Sequence, residues 1–182
     1  ARLDVQHLLS DQVSLAIHNG ETMCVLAGPQ EAIARLESQL AEQEIVCRPL
    51  ETTHAFHSTM MQQLAERLTE VAQGIQLNPP RIPYISNVTG TWITDEQATD
   101  PGYWSQHMCQ PVRFFEALNE LLQADERVLL EVGPGQSLGS FAKQHPNRSR
   151  EQVVAVLPTM RYEHDRRSDL AFLLETIGKL WM

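Results

Sequence analysis

Two short segments carry residue types that could do acyl chemistry. The first is Thr53-His-Ala-Phe-His-Ser58, which places imidazoles at His54 and His57. An imidazole titrating near neutrality can take the proton of a weak hydroxyl nucleophile and later return it to a leaving group. A histidine that follows a strand is also a common structural residue, so the segment by itself leaves both readings open. The second is Gly135-Gln-Ser-Leu-Gly139, which has the Gly-x-Ser-x-Gly spacing of a nucleophile elbow and lies between an expected strand and an expected helix. On that reading Ser137 is the nucleophile of a serine hydrolase. Against it, Gly133-Pro-Gly135 intervenes between strand and motif, and the only downstream histidines are His145, before Pro146, and His164, among charges. Asn19, before Gly20, and Asn87, before Val-Thr-Gly, offer polar groups for a site and are equally good turn residues.

The elements that would position these residues follow from apolar spacing. Residues 3–9 read as the end of an amphipathic helix, and Val13-Ser-Leu-Ala-Ile17 alternates as a strand does. Asn19-Gly20 is a hairpin-turn dipeptide, with a second strand over 22–27 behind it. Gly28-Pro29 opens a helix with Ile33, Leu36 and Leu40 on one face. Ile45-Val-Cys-Arg-Pro-Leu50 reads as a third strand. This order is that of a ferredoxin-like split βαβ unit whose first strand would have to lie before residue 1.

Past residue 51, helices alternate with short strands, as in an α/β layer structure. A helix is expected over 60–75, with Met61, Leu64, Leu68, Val71 and Ile75 buried, and Leu77-Asn-Pro-Pro80 ends it. A strand over 82–86 and a helix over 112–122 follow. Val128-Leu-Leu-Glu-Val132 has the continuous apolar character of a parallel strand buried on both faces. An apolar helix over 170–181 closes the chain.

Composition narrows the class. Hydrophobic residues at 42% and charged residues at 20% of 182 predict a folded globular body. A net charge of -9 without a Lys/Arg block argues against nucleic acid and anionic membrane as partners. No apolar run approaches the ~20 residues of a membrane span. Cys24, Cys47 and Cys109 are scattered among apolar residues, have no metal-ligand spacing, and read as small core residues in a reducing cytoplasm. The first residues resemble neither a signal peptide nor an initiator, so the chain is expected to begin inside a longer protein.

The Thr53–Ser58 segment is similar to the active-site signature of acyltransferase domains in modular polyketide synthases, where His-Ala-Phe-His accompanies malonyl specificity and Tyr-Ala-Ser-His accompanies methylmalonyl. It arrives with Ile82-Pro-Tyr-Ile-Ser-Asn-Val-Thr-Gly90, Tyr103-Trp-Ser-Gln-His-Met108, Pro111-Val-Arg-Phe114 and Leu130-Glu-Val-Gly-Pro-Gly135, in the family's order and spacing. The resemblance implies a ferredoxin-like small subdomain over 1–52, the C-terminal part of a hydrolase-like large subdomain over 53–156, and a following linker over 157–182.

It also implies roles. His57 aligns with the catalytic histidine, and His107 with the residue whose backbone carbonyl fixes that imidazole's tautomer. His54, Ala55 and Phe56 fall in the loop that shapes the pocket around the acyl α-carbon, although an aromatic at 56 also serves in plain core packing. Asn19 and Asn87 align with asparagines near the site. The family's Gly-His-Ser-x-Gly elbow and its carboxylate-binding arginine precede the small subdomain and have no counterpart in these residues. The implied activity is transfer of malonyl from coenzyme A, through an acyl-serine, to the phosphopantetheine thiol of an acyl carrier protein, with a ketosynthase among neighbouring domains. No cofactor or metal is expected on the chain itself. The alternatives are a non-catalytic scaffold between synthase domains and the Ser137 hydrolase.

Overall fold

A computed structural model describes residues 5–149 and 153–182. Two units divide the chain, one running to Ala117 and the other from Leu118 to Met182. Both mix helices with a two-stranded sheet, so the fold class is α/β.

In the first unit, β1 (Ser14–Gly20) and β2 (Met23–Ala27) form an antiparallel hairpin, and α1 (Gln30–Glu42) packs on it. Val13, Ala32, Leu36 and Leu40 make the core, with Leu8 and Leu26 packed against it. The buried helix positions thus include Ala32, with Ile33 only half-buried. The turn is Glu21-Thr22, not Asn19-Gly20. Asn19 occupies a bulge, because His18 pairs with Cys24 and Gly20 with Met23, leaving one extra residue on β1. The helix expected over 3–9 is a single 3-10 turn, Gln6–Leu8, and its Leu3 lies outside the described residues.

The third strand expected over 45–50 does not form. β1 has β2 on one edge and a parallel bridge from Ile17 to Val112 on the other, so neither edge of β1 is open to it. Pro49 also lacks the N–H that a ladder needs. The segment's apolar side chains stay outside, Val46 at 84% exposure. Cys47 is exposed with them and Cys24 half-buried, so only Cys109 is the core thiol expected of all three.

The helix expected over 60–75 is split into a 3-10 stretch, Thr59–Leu64, and α2 (Ala65–Gln73). A 3-10 turn has three residues, not 3.6, and the change of winding rotates the expected stripe off one face. Met61 and Ala72 are buried, while Leu64, Val71 and Ile75 are exposed. α2 packs on α4 (Pro101–Cys109), joined by Thr69 Oγ1 and Ser105 Oγ at 2.5 Å. Asp100 caps α4 through the Gly102 N–H and Pro101 sits in its first turn. Ahead of it, α3 (Asp95–Thr99) starts with a Thr94–Gln97 capping box.

Residues 82–86 contribute one bridge, Ile85 to Trp92, in place of the expected strand. The following loop is organised by buried Ser86, whose Oγ accepts from the Val88 and Thr89 N–H groups and from the Tyr103 hydroxyl at 2.7 Å. Gly90 closes the loop at φ 73°, and a Cβ there would stand 2.6 Å from Cβ of Glu116 on α5 (Phe114–Leu121). We expect Gly90→Ala to lower the domain's stability by about 1–3 kcal/mol, from left-handed strain and the collision together. A urea midpoint equal to that of the unaltered domain would contradict this.

In the second unit, β3 (Arg127–Glu131) and β4 (Val153–Pro158) run parallel, as expected of the first of them. Burial on both faces is not observed. Val128 and Leu130 are exposed and alternate with half-buried neighbours, since the helices cover one face only. α6 (Ser137–Gln144) follows β3, and α7 (Asp169–Trp181) is tied to β4 by Thr176 Oγ1 donating to the Pro158 carbonyl at 2.7 Å. Phe172 and Thr176 are the buried side chains of α7. No helix among the described residues is long and apolar enough to cross a membrane.

Candidate active site

His57 is held in a left-handed backbone conformation, φ 58°, which is uncommon for a side chain with a Cβ. An observed outlier of this kind marks a position that its surroundings over-determine. What holds it is the C-terminal end of α4. The last carbonyls of a helix have no partner within it. Here the Met108 carbonyl accepts the His57 backbone N–H at 3.1 Å, and the His107 carbonyl lies 3.1 Å from His57 Nδ1. The Gln110 carbonyl, also at 3.1 Å, completes the acceptor pair. A carbonyl only accepts, so Nδ1 carries the proton and Nε2 of the neutral ring keeps its lone pair.

The sequence explains why α4 stops where it can do this. Gln110 precedes Pro111 and is driven to extended backbone, ψ 154°. On the other side, Ser58 is buried and caps the 3-10 stretch through the Met60 N–H, while its hydroxyl donates to the Ala55 carbonyl at 2.5 Å. The loop carrying His57 is therefore pinned both by its own serine and by a helix end 50 residues away. Ser58, Met108 and Gln110 were not among the residues expected. Ser58 was legible as a serine just ahead of a helical stretch, whereas Met108 and Gln110 act through backbone carbonyls that no side-chain pattern reveals.

The His107 ring stands edge-on to His57, centroids 6.0 Å apart, and packs near Tyr103 and Trp104. Its burial first, and then the neighbouring His57, push its pKa down, so it stays neutral near pH 7. The nearest ring to His57 thus adds no standing positive charge. His54 and Phe56 pack ring to ring at 5.7 Å, and His54 Nδ1 is 2.8 Å from Thr53 Oγ1. Phe56 is 50% exposed, so it is not a core residue.

The connector after α4 ties in the two asparagines. Val112 bridges β1, accepting from the His18 N–H and donating to the Ala16 carbonyl, one residue from the bulge that carries Asn19. The Arg113 N–H donates to the Asn87 carbonyl at 2.9 Å. Residues 107–113 therefore touch the His57 loop, the Asn87 loop and the end of β1. Asn19 and Asn87 are both half-buried.

Ser137 has a different setting. It lies in the first turn of α6, exposed, and is not in the positive-φ region. The Glu131 carboxylate accepts from the Leu138 N–H at 3.1 Å and the Gly139 N–H at 2.8 Å. In an elbow, the N–H after the nucleophile points to the oxyanion. Here it is occupied by a carboxylate.

A sequence model described as the acyl transferase domain matches residues 2–180. The chain is 38% identical over 178 residues to one component of the phenolphthiocerol/phthiocerol polyketide synthase of Mycobacterium tuberculosis, covering 98% of this chain and 12% of that protein. It is 37% identical over 156 residues to the spectinabilin polyketide synthase system protein NorB of Streptomyces orinoci, covering 84% of this chain and 7% of that one. Among solved structures, the acyl transferase domain of SpnD in complex with 2-(pent-4-yn-1-yl)malonyl superposes with a TM-score of 0.91 at 36% identity, over 97% of this chain and 43% of that one. The chain thus spans a small part of the synthases it matches, and under half of that solved domain.

Proposed function

The chain belongs to the acyl transferase domain family, and from that premise we propose that it supplies the histidine side of a malonyl-transfer site in a polyketide synthase. In this reading a serine hydroxyl gives its proton to His57 Nε2 as it attacks the thioester of malonyl-CoA. The resulting acyl-serine is then attacked by the phosphopantetheine thiol of an acyl carrier protein. His57 accepts a proton in each half-reaction and returns it to the departing group.

The observation that carries the reading is the pair of backbone carbonyls on His57 Nδ1, which leaves Nε2 as the acceptor. They take the orienting place that a carboxylate holds in a Ser-His-Asp triad. No Gly-His-Ser-x-Gly sequence occurs in the 182 residues. The serine and most of the oxyanion donors are therefore proposed to come from the rest of the domain, with a ketosynthase as a separate neighbouring domain and a cytoplasmic setting proposed for the synthase. In this reading coenzyme A enters as its malonyl thioester and leaves as the free thiol, and no cofactor is assigned to the chain itself.

Malonyl is the acyl group that His54, Ala55 and Phe56 favour. In this reading the half-exposed Phe56, the residue before His57, crowds an α-methyl branch. The solved relative with a substituted malonyl group supports a dicarboxylic acyl substrate in this family. The test uses the intact domain with equal malonyl-CoA and methylmalonyl-CoA. Malonyl is expected to dominate on the carrier protein, and changing His54-Ala-Phe-His57 to Tyr-Ala-Ser-His should relax the ratio by about 10-fold or more, the worth of one methyl group being ~1–3 kcal/mol. An unaltered ratio with activity retained would remove Phe56 from the specificity argument.

A further inference from the structure

β1, the Asn87 loop and the start of α5 converge on one glutamate that the proposed chemistry does not use. Glu116 Oε1 lies 3.0 Å from His18 Nδ1 and 3.9 Å from the Arg113 guanidinium. Its other oxygen, Oε2, is buried without a hydrogen-bond partner. A carboxylate only accepts, so His18 Nδ1 is the donor. The His18 ring also packs on Phe115, centroids 5.1 Å apart. Gly90, at the end of the Asn87 loop, is kept free of a Cβ by the Glu116 side chain.

The backbone links around this pair lead back to His57. The His18 N–H donates to the Val112 carbonyl at 2.9 Å and the Val112 N–H to the Ala16 carbonyl at 2.8 Å. Two residues before Val112 stands the Gln110 carbonyl that faces His57 Nδ1. Four residues after it stands Glu116, which grips the side chain of the same His18. The connector is therefore held to β1 by main-chain hydrogen bonds at Val112 and by a side-chain hydrogen bond from His18 to Glu116 one helical turn later.

We propose that Glu116, acting through His18, is a positioning residue for the catalytic imidazole: it braces the 110–113 connector against β1 and so sets the carbonyl that orients His57. This rests on the reading of His57 as the base. Sub-ångström to ångström misplacement of a catalytic group costs up to ~100-fold in rate, which sets the size of the effect.

The test measures malonyl transfer by the intact domain for Glu116→Ala, His18→Leu, the double variant and Glu116→Gln, with unfolding midpoints and with His57→Ala alongside. His18→Leu keeps bulk against Phe115 while removing the donor. Each single variant is expected to lower kcat about 10- to 100-fold with KM for malonyl-CoA unchanged, and the double variant to be no worse than either. Glu116→Gln, which retains an oxygen acceptor for His18, recovers most of the rate. The proposal is overturned if the losses of the two single variants multiply in the double variant, if activity tracks only the folded fraction, or if either single variant keeps wild-type kcat. A Glu116→Gln rate no better than that of Glu116→Ala would also overturn it. If His57→Ala itself retains activity, the reading of the base fails. If His57→Ala is inactive while the Glu116 and His18 variants are normal, only the brace fails.

Discussion

Replacing His57 by alanine in the intact domain is expected to lower malonyl transfer by about 10²–10⁴-fold, the usual worth of a positioned general base. The loss should fall on kcat and on the formation of acyl-serine, because a general base acts on the proton-transfer step. His107→Ala is the informative comparison. That residue meets His57 Nδ1 through its backbone carbonyl, which alanine keeps, so its loss should be much the smaller of the two. Single-turnover labelling with malonyl-CoA at saturating concentration separates them. Should His57→Ala form acyl-enzyme at the wild-type rate, the proton acceptor lies elsewhere. Equal losses in both variants would mean that the His107 ring, neutral and edge-on to His57, does more than its carbonyl.

A second large effect is expected from these 182 residues expressed alone. They should take up no covalent label from radiolabelled malonyl-CoA and pass none to a carrier protein, because the one serine in an elbow-like sequence is built as something else. Glu131 occupies the N–H groups of Leu138 and Gly139. A developing oxyanion would have to displace a fixed negative charge to reach those donors. Denaturing electrophoresis after labelling reads the outcome directly. A stoichiometric label on this chain that disappears in Ser137→Ala would reverse the assignment and make the Gly135–Gly139 segment a working nucleophile elbow.

Glu131 shows how the Ser137 question was divided between sequence and structure. The spacing Gly-x-Ser-x-Gly after a strand and before a helix is real, and both flanking elements form. What the pattern cannot contain is a carboxylate at the end of β3 folding back on the helix start. That contact depends on the path through Gly133-Pro-Gly135, not on composition.

The local elements that were legible are those whose signal is local. The β1–β2 hairpin, α1, α5 and α7 follow from alternation or helical spacing of apolar residues, and the end of α4 from the proline after Gln110. The His-Ala-Phe-His segment was legible for a different reason, its similarity, together with the motifs that follow it, to the active-site signature of polyketide synthase acyltransferases. Residues 45–50 and 82–86 have the composition of strands and are not strands. A strand exists only when another backbone pairs with it, and pairing is a property of the whole chain. The buried stripe expected along 60–75 failed because the winding changes at Leu64. Only the tertiary structure decided how the His57 imidazole is held: its left-handed backbone, the carbonyl facing Nδ1, and the His18–Glu116 hydrogen bond behind the connector. Each of these comes from main-chain carbonyls or from a side chain some 50 to 100 positions away. Sequence spacing records neighbours along the chain, and the orientation of this imidazole is set by neighbours in space.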